Sequence, residues 1–224
     1  MLSSLERIII VAGHYGAGKT NLAVNLALDY QKRGEAVTLC DLDIVNPYFR
    51  SSDFQDLARE RGIGMITPTF AGTNLDVPAL NARLDVAISG GEGRLIVDVG
   101  GDDAGAAALG RYCAGLAQQG YSFLYVVNRS RPITATPEQA AEILGEIERA
   151  SRLRATHIVN NTHLAQLTTA ETILQSGGYV RQLCKLTGLA LLFTTAPRPL
   201  AEAVGEEWGE GRIYPIDIHV KAPW

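Results

Sequence analysis

Seven short runs of consecutive apolar residues punctuate the chain: "RIIIVA" (7–12), "AVTLCDL" (36–42), "GMITP" (64–68), "RLIVDV" (94–99), "SFLYVV" (122–127), "THIVN" (156–160) and "LALLFTT" (189–195). None alternates polar with apolar positions, as a strand with one wet face would. Continuous runs are what a parallel sheet needs when helices cover both of its faces. The longer stretches between them carry helix-start signals. In "TPEQ" (136–139), Thr136 is placed to cap, Pro137 to take the first helical position and Gln139 to close a capping box. Asp76 ahead of "VPALNARLDVAI" and Thr168 ahead of "TAETILQ" are further candidate caps, and helices are expected over 19–33 and 104–119. The alternation predicts an α/β fold, a doubly wound, mostly parallel sheet of about seven or eight strands in three α/β/α layers. "GRIYPIDIHVKAPW" at the end reads as a last strand and a tail. No linker, repeat or low-complexity segment interrupts the pattern, so residues 1–224 are expected to form a single domain.

Composition narrows the function classes. With 224 residues, 46% of them apolar, the chain can bury a sizeable core. Its net charge of −4 and the absence of any basic run give no bulk attraction for nucleic acid or anionic lipid, so neither is expected as a partner. Cys40, Cys113 and Cys184 lie far apart, which suits a reducing compartment and argues against a disulfide framework or a preformed zinc or iron–sulfur site. The start, "MLSSLERIIIVAG", lacks the basic opening and cleavage region of a signal peptide. No run approaches the roughly 20 apolar residues of a spanning helix. A cytoplasmic location is expected.

In a doubly wound sheet, ligands bind beyond the carboxyl ends of the strands. The first strand is followed by "GHYGAGKT", in which Gly13, Gly18, Lys19 and Thr20 take the spacing G-x-x-x-x-G-K-T. That spacing makes a loop whose amides cradle phosphate: Gly13, His14, Tyr15, Gly16, Ala17 and Gly18 would wrap the anion at the positive end of a helix. Lys19 would reach the terminal phosphates, the Thr20 hydroxyl would ligate Mg²⁺, and Asn21 completes the expected nucleotide-binding set. The second strand ends in "DLDIVNPYFR" (41–50). Asp43, nearer the tip, is expected to hold a Mg²⁺ water or orient the attacking water, which makes it, with Lys19, the expected catalytic pair. Asp41 is expected to anchor the loop, while Asn46 and Arg50 belong to a segment near the terminal phosphate. Tyr48 and Phe49 could be exposed there or packed inside. The fourth strand ends in "LIVDVGGDD" (95–103), where Asp98 is the expected second Mg²⁺ carboxylate. Gly100 and Gly101 let the backbone approach the terminal phosphate and move when it leaves. Asp102 and Asp103 could instead cap the next helix.

Base recognition is read from the late strands. A guanine reader of the form N/T-K-x-D is absent from both "NRSR" (128–131) and "NNTH" (160–163). Asn160 or Asn161, with Pro197 in "TAPRP" (195–199), could serve adenine, so ATP is expected over GTP. Arg50, Arg129, Arg131 and Arg198 all follow strands, and any one could touch phosphate or simply solvate a loop.

The loop at Gly13–Thr20, "DLDI" and "LIVDVGG", in that order at strand ends, resemble the MinD/ParA/Mrp and CobQ/CobB group of phosphate-loop NTPases (SIMIBI type). The likeness is specific over residues 7 to 103. The strings "DLDIVNPYFR" and "DVGGDDAGAAALGRY" are similar to those of a bacterial branch described only as ATP-binding proteins. The resemblance implies a mostly parallel sheet, use of ATP and Mg²⁺ and, in many members, a nucleotide-sandwich homodimer. It implies a fold and a ligand, not a pathway. The loops Asp43–Arg50 and Asp98–Asp103, both expected to converge on the terminal phosphate, point first to a hydrolysing switch or maturation-type chaperone with a protein partner. Alternatives are an ATP-dependent ligase or kinase of the CobQ/CobB or dethiobiotin-synthetase type with a small-molecule acceptor, or a subunit that binds nucleotide without hydrolysing it. One departure stands out. Switch-type members carry G-K-G-G-x-G-K-T, whose first Lys reaches the partner subunit's phosphates, whereas here His14 and Tyr15 take the places of Lys and Gly. His14 could face phosphate or stabilise the loop by a hydrogen bond.

Overall fold

The computed structural model describes residues 2–42, 52–67, 76–101, 103–164, 167–208 and 212–219. The apolar runs form β1 (Ile8–Ala12), β2 (Val37–Asp41), β3 (Gly64–Ile66), β4 (Arg94–Asp98), β5 (Ser122–Val127), β6 (His157–Asn160), β7 (Ala190–Pro197) and β8 (Ile213–Ile216). They join one sheet in the order β3-β2-β4-β1-β5-β6-β7-β8. Every neighbouring pair is parallel. The helices are α1 (Lys19–Lys32), α2 (Ser52–Glu60), α3 (Asp76–Gly90), α4 (Asp103–Gly110), α5 (Cys113–Gln119), α6 (Pro137–Ser151), α7 (Ala170–Leu174), α8 (Gly177–Thr187) and α9 (Ala201–Trp208).

The continuous apolar runs are explained by burial on both sides. Ile9, Val11, Leu39, Ile96, Leu124 and Val126 face Leu22, Ala23 and Leu26 of α1. Ile8, Ile10, Val97, Phe123 and Tyr125 face the opposite layer, where Leu84 of α3, Leu109 of α4, Leu144 of α6 and Val180 of α8 complete the cluster. All five residues of β1 are almost fully buried. Each buried Ile or Val side chain contributes about 1.5–3 kcal/mol of transfer free energy, so β1, like the equally buried β5, is held firmly at the centre of the sheet.

The capping box at α6 forms as its sequence indicates: Thr136 accepts from Gln139 N, and the Gln139 side chain accepts from Thr136 N. Two expectations are corrected. The cap of α7 is Thr169, which accepts from Thr172 N, while the Thr168 hydroxyl accepts from Leu164 N. The single helix expected over 104–119 is two helices. Arg152 donates to the Gly110 carbonyl at 2.7 Å, and Arg111 N and Tyr112 N turn back to Ala108 and Leu109, so α4 closes where α6 ends. The partner in that break lies 42 residues away, beyond any local signal.

Candidate functional site

The order of strands reverses around β1, which lies between β4 and β5 with Val11 opposite Asp98 and Ala12 opposite Tyr125. A crevice opens at such a reversal beyond the carboxyl ends of the strands. The glycine-rich loop runs through it from Gly13 to Gly18. Ala17 N donates to His14 O at 3.1 Å and closes a turn. Gly18 caps α1 in the left-handed region, at φ 86°, and supplies no side-chain cap. A side chain there would collide with the Asn161 amide. The cap is thus bare by necessity, and α1 presents its leading amides and the positive end of its dipole to whatever the loop encloses.

Two residues of α1 face this opening. Lys19 is only 8% exposed, and its Nζ donates to His14 O at 3.2 Å, which lays the cation across the loop. Thr20 donates its hydroxyl to Asp98 Oδ2 at 2.6 Å. Asp98 ends β4 directly opposite Asp41, the last residue of β2. Period-two alternation puts Asp41 on the sheet face of Val37 and Leu39 and Asp98 on that of Ile96, so both buried carboxylates lie on the α1 side of the sheet. Asp41 therefore belongs to the floor of the site as well as to the base of the loop that follows it. A hydroxyl touching a carboxylate is a pair of hard oxygen donors, which suits Mg²⁺ held together with phosphate oxygens and water. Among the described residues, no cluster of three or more His, Cys, Asp or Glu side chains could hold a metal ion without such help.

The segment after β4 touches the glycine-rich loop. A methyl group on Gly101 would lie 2.6 Å from both the N and Cα of Tyr15 and 2.9 Å from Lys19 Nζ. The Gly101 backbone thus passes against the loop where it meets the lysine, and Gly100 lies against Gly105 at the start of α4 in similarly close contact. The His14 ring takes the loop-stabilising role, with Nδ1 3.1 Å from Tyr15 O. Tyr15 itself is 51% exposed at the rim.

Beneath the loop lies a buried polar floor. Asn161 donates to Ala17 O at 2.6 Å and accepts from the Thr195 hydroxyl, so it braces the loop from below. Asn160 is fully buried. It donates to Ser176 Oγ at 2.8 Å and Thr194 Oγ1 at 3.2 Å and accepts from Thr162 at 2.8 Å. Its amide ties β6 to β7 and α8 and is not presented to a base, which corrects the expectation for that residue. Asn21 is likewise engaged elsewhere. It donates to Asp217 O at 3.1 Å and accepts from His219 N at 2.8 Å, and with Asn25 it fastens α1 to the segment after β8. Pro197 ends β7 in register with Ile216, beside Arg198, whose guanidinium pairs with Asp217 at 2.8 Å. Ser176, Thr194, Thr195 and the Asn21–Asp217 tie carry no local sequence motif, because their partners are distant in the chain.

The strand-end arginines separate clearly. Arg129 donates to Gln175 O at 2.7 Å, Arg198 is paired with Asp217, and Arg131 donates Nε to Gly16 O at 2.8 Å, on the glycine-rich loop itself. His163 lies against Gly18 and beside Asn161. Burial, with the Arg131 charge second, presses its pKa from 6.5 down to about 4. A histidine lowered in this way stabilises the fold above its unfolded pKa, and that contribution is lost as pH falls from about 6.5 toward 4. The His163 ring is therefore expected to stay neutral at pH 5.5 in an NMR titration, and a midpoint near 6.5 would contradict the buried geometry. Asp43, Asn46, Tyr48, Phe49, Arg50 and Asp102 lie outside the described residues, as do residues 68–75 after β3. Among the described residues no helix is long and apolar enough to cross a membrane.

No family model matches the chain, and no curated protein does. Solved structures do. The signal recognition particle receptor FtsY from Elizabethkingia anophelis matches with a TM-score of 0.54 and 17% identity, over 84% of this chain and 57% of that one. The signal recognition particle 54 kDa protein from Aeropyrum pernix, in complex with GDP, matches with a TM-score of 0.54 and 20% identity, over 85% of this chain and 41% of that one. Chloroplast FtsY from Physcomitrella patens matches with a TM-score of 0.58 and 15% identity, over 85% and 58%. The chain spans well under two thirds of the length of each. At these identities the likeness shows the fold alone, a three-layer α/β/α arrangement of the phosphate-loop NTPase type.

Proposed function

We propose that the chain binds ATP with Mg²⁺ and acts as a nucleotide-dependent switch, hydrolysing ATP slowly in step with a partner protein or a second copy of itself. The contact of Gly101 with Tyr15 and Lys19 is the observation that carries this reading. The backbone after β4 rests on the phosphate loop beside the one buried lysine of the site, so what the loop holds and where α4 begins are mechanically linked. In this reading the amides of Gly13–Gly18 and the Lys19 amine hold the phosphates. Thr20 and Asp98 would hold Mg²⁺, which neutralises charge on the phosphates when bound. Asp41 and Asp43 would position the water-bearing side of the site, and Asn161 keeps the loop in shape from beneath. The adenine preference rests on the sequence, since neither "NRSR" nor "NNTH" offers the carboxylate that a guanine edge requires. The GDP complex of the Aeropyrum pernix protein makes GTP the competing ligand to test.

Titration calorimetry with ATP, GTP and their diphosphates, with and without Mg²⁺, tests the reading. ATP should bind at least about tenfold tighter than GTP, a difference of about 1.4 kcal/mol. The Asp98→Asn protein should still bind ATP but lose most of the gain in affinity that Mg²⁺ brings to the parent. Tighter binding of GTP would reverse the base assignment, and an unchanged Mg²⁺ effect in the variant would remove Asp98 from the metal site. A second reading, ATP-dependent activation of a small carboxylate acceptor, is favoured by His14, whose ring is turned onto its own loop where switch-type relatives place a lysine. Acceleration of ADP release by a carboxylate, without nucleotide-dependent dimerisation, would select it. Tight ATP binding with no turnover under any condition would select a non-hydrolysing subunit.

A further inference from the structure

Arg131 lies in the turn after β5, and its guanidinium rests on the phosphate loop 115 residues earlier in the chain. Nε donates to Gly16 O at 2.8 Å. The group packs so closely that a methyl on Gly16 would sit 3.0 Å from Nε and 3.2 Å from Cζ. We propose that Arg131 is a second phosphate-binding cation, supplied from within the same chain, that distinguishes the triphosphate from the diphosphate at this loop. The proposal rests on the nucleotide-binding reading above and adds a residue to it.

Several observations converge on this role. The turn that carries Arg131 is fixed before any ligand arrives. Ser130 N donates to Asn128 Oδ1, Arg131 N and the Thr134 hydroxyl donate to Asn128 O, and the Tyr179 hydroxyl donates to Thr134 O. Asn128 in turn donates to His163 O, and Arg129 N donates to Thr162 Oγ1, so the turn is tied to the same buried floor that supports the loop. A cation held on such a scaffold is preorganised and loses little freedom when an anion arrives. Bonding to Gly16 uses one of its five N–H donors, and a guanidinium fork suits phosphate. Among the described residues the side-chain ion pairs of arginines are made by Arg59, Arg94, Arg154 and Arg198, and no carboxylate neutralises Arg131. The other groups at the loop cannot supply that charge. His14 turns onto Tyr15 O, and His163 is held neutral by burial. Among the described residues, Lys19 and Arg131 are then the permanent cations that bond to the loop, one at His14 O and one at Gly16 O.

The plain alternative is that Arg131 only braces the Gly16 carbonyl, and the experiment separates the two. Affinities for Mg²⁺ with a non-hydrolysable ATP analogue and for Mg²⁺ with ADP are measured by calorimetry on the parent, Arg131→Gln and Arg131→Lys. The melting temperature of each nucleotide-free protein is measured alongside. Glutamine keeps a donor for Gly16 O without the charge, and lysine keeps the charge without the fork. A phosphate-binding cation predicts that Arg131→Gln weakens the triphosphate analogue about tenfold or more while ADP changes by less than about threefold. Arg131→Lys should recover part of the loss, with little change in melting. Equal losses for both nucleotides, or none for either, would reduce Arg131 to a brace and overturn the proposal. A parent protein that bound no nucleotide at all would instead defeat the functional reading, and the proposal with it.

Discussion

Lys19→Ala will reduce binding of Mg²⁺ and ATP by at least about 100-fold, beyond what titration calorimetry or a thermal-shift measurement at ordinary concentrations would detect. The expectation follows from burial and direction together. The side chain is 8% exposed and its amine donates to His14 O at 3.2 Å, inside the loop that the substrate phosphates would fill. Charge-assisted bonds in such a place are about twice as strong as neutral ones, and removing the donor leaves the phosphate charge facing a carbonyl. The truncation also vacates buried space, so a modest loss of stability is expected in the free protein, and Lys19→Met, which keeps the stem, should restore that loss without restoring affinity. A Lys19→Ala protein that bound ATP as the parent does would end the assignment of this loop.

Gly101→Ala tests the link between the loop and the segment after β4. The added methyl would lie 2.6 Å from Tyr15 N and Cα and 2.9 Å from Lys19 Nζ. Backbone cannot yield as a side-chain tip can, so residues 99–101 must withdraw from the loop, at a cost of about 1–3 kcal/mol for an overpacked contact. The result should be ADP affinity within about threefold of the parent and turnover lowered about 100-fold, the penalty typical of a reacting geometry displaced by about 1 Å. Parallel losses of ADP and ATP binding would mean that the methyl damages the loop as a whole. Unchanged turnover would show that the contact has no part in catalysis.

The parts of this molecule that could be read from the chain are those whose causes are local. Strands buried on both faces announce themselves as unbroken apolar runs, and the capping box at Thr136 lies within four residues of sequence. The geometry of the glycine-rich loop is legible for the same reason, since its turn, its bare cap and its lysine are all encoded between Gly13 and Thr20. Asp98 can be located from the sequence as the charge that ends an apolar strand, while its bond to Thr20 is seen only in the fold. What escaped is non-local. Asn160 and Asn161 are adjacent and chemically identical, yet one ties strands together and the other holds Ala17 O, 144 residues away. Asn21 sits beside the nucleotide motif, but its amide is committed to a backbone carbonyl 196 residues further on. Arg129, Arg131 and Arg198 look alike in the sequence until the fold assigns each a partner. A side chain's neighbours in space, which sequence spacing does not reveal, decided each of those cases.

The central place of β1 has a consequence for how the protein comes into being. Its strand neighbours are β4 and β5, so Ile8 waits for Leu95 and Ile9 for Ser122 before either hydrogen-bonded edge is satisfied. The brace under Ala17 comes later still, from Asn161. The glycine-rich loop is therefore synthesised before the strands and the Asn161 brace that shape it, and closing such distant pairings is slow. On the functional reading proposed above, nucleotide would meet a competent receptor only once β4, β5 and β6 are in place, and would act on the finished fold as a latch against reopening.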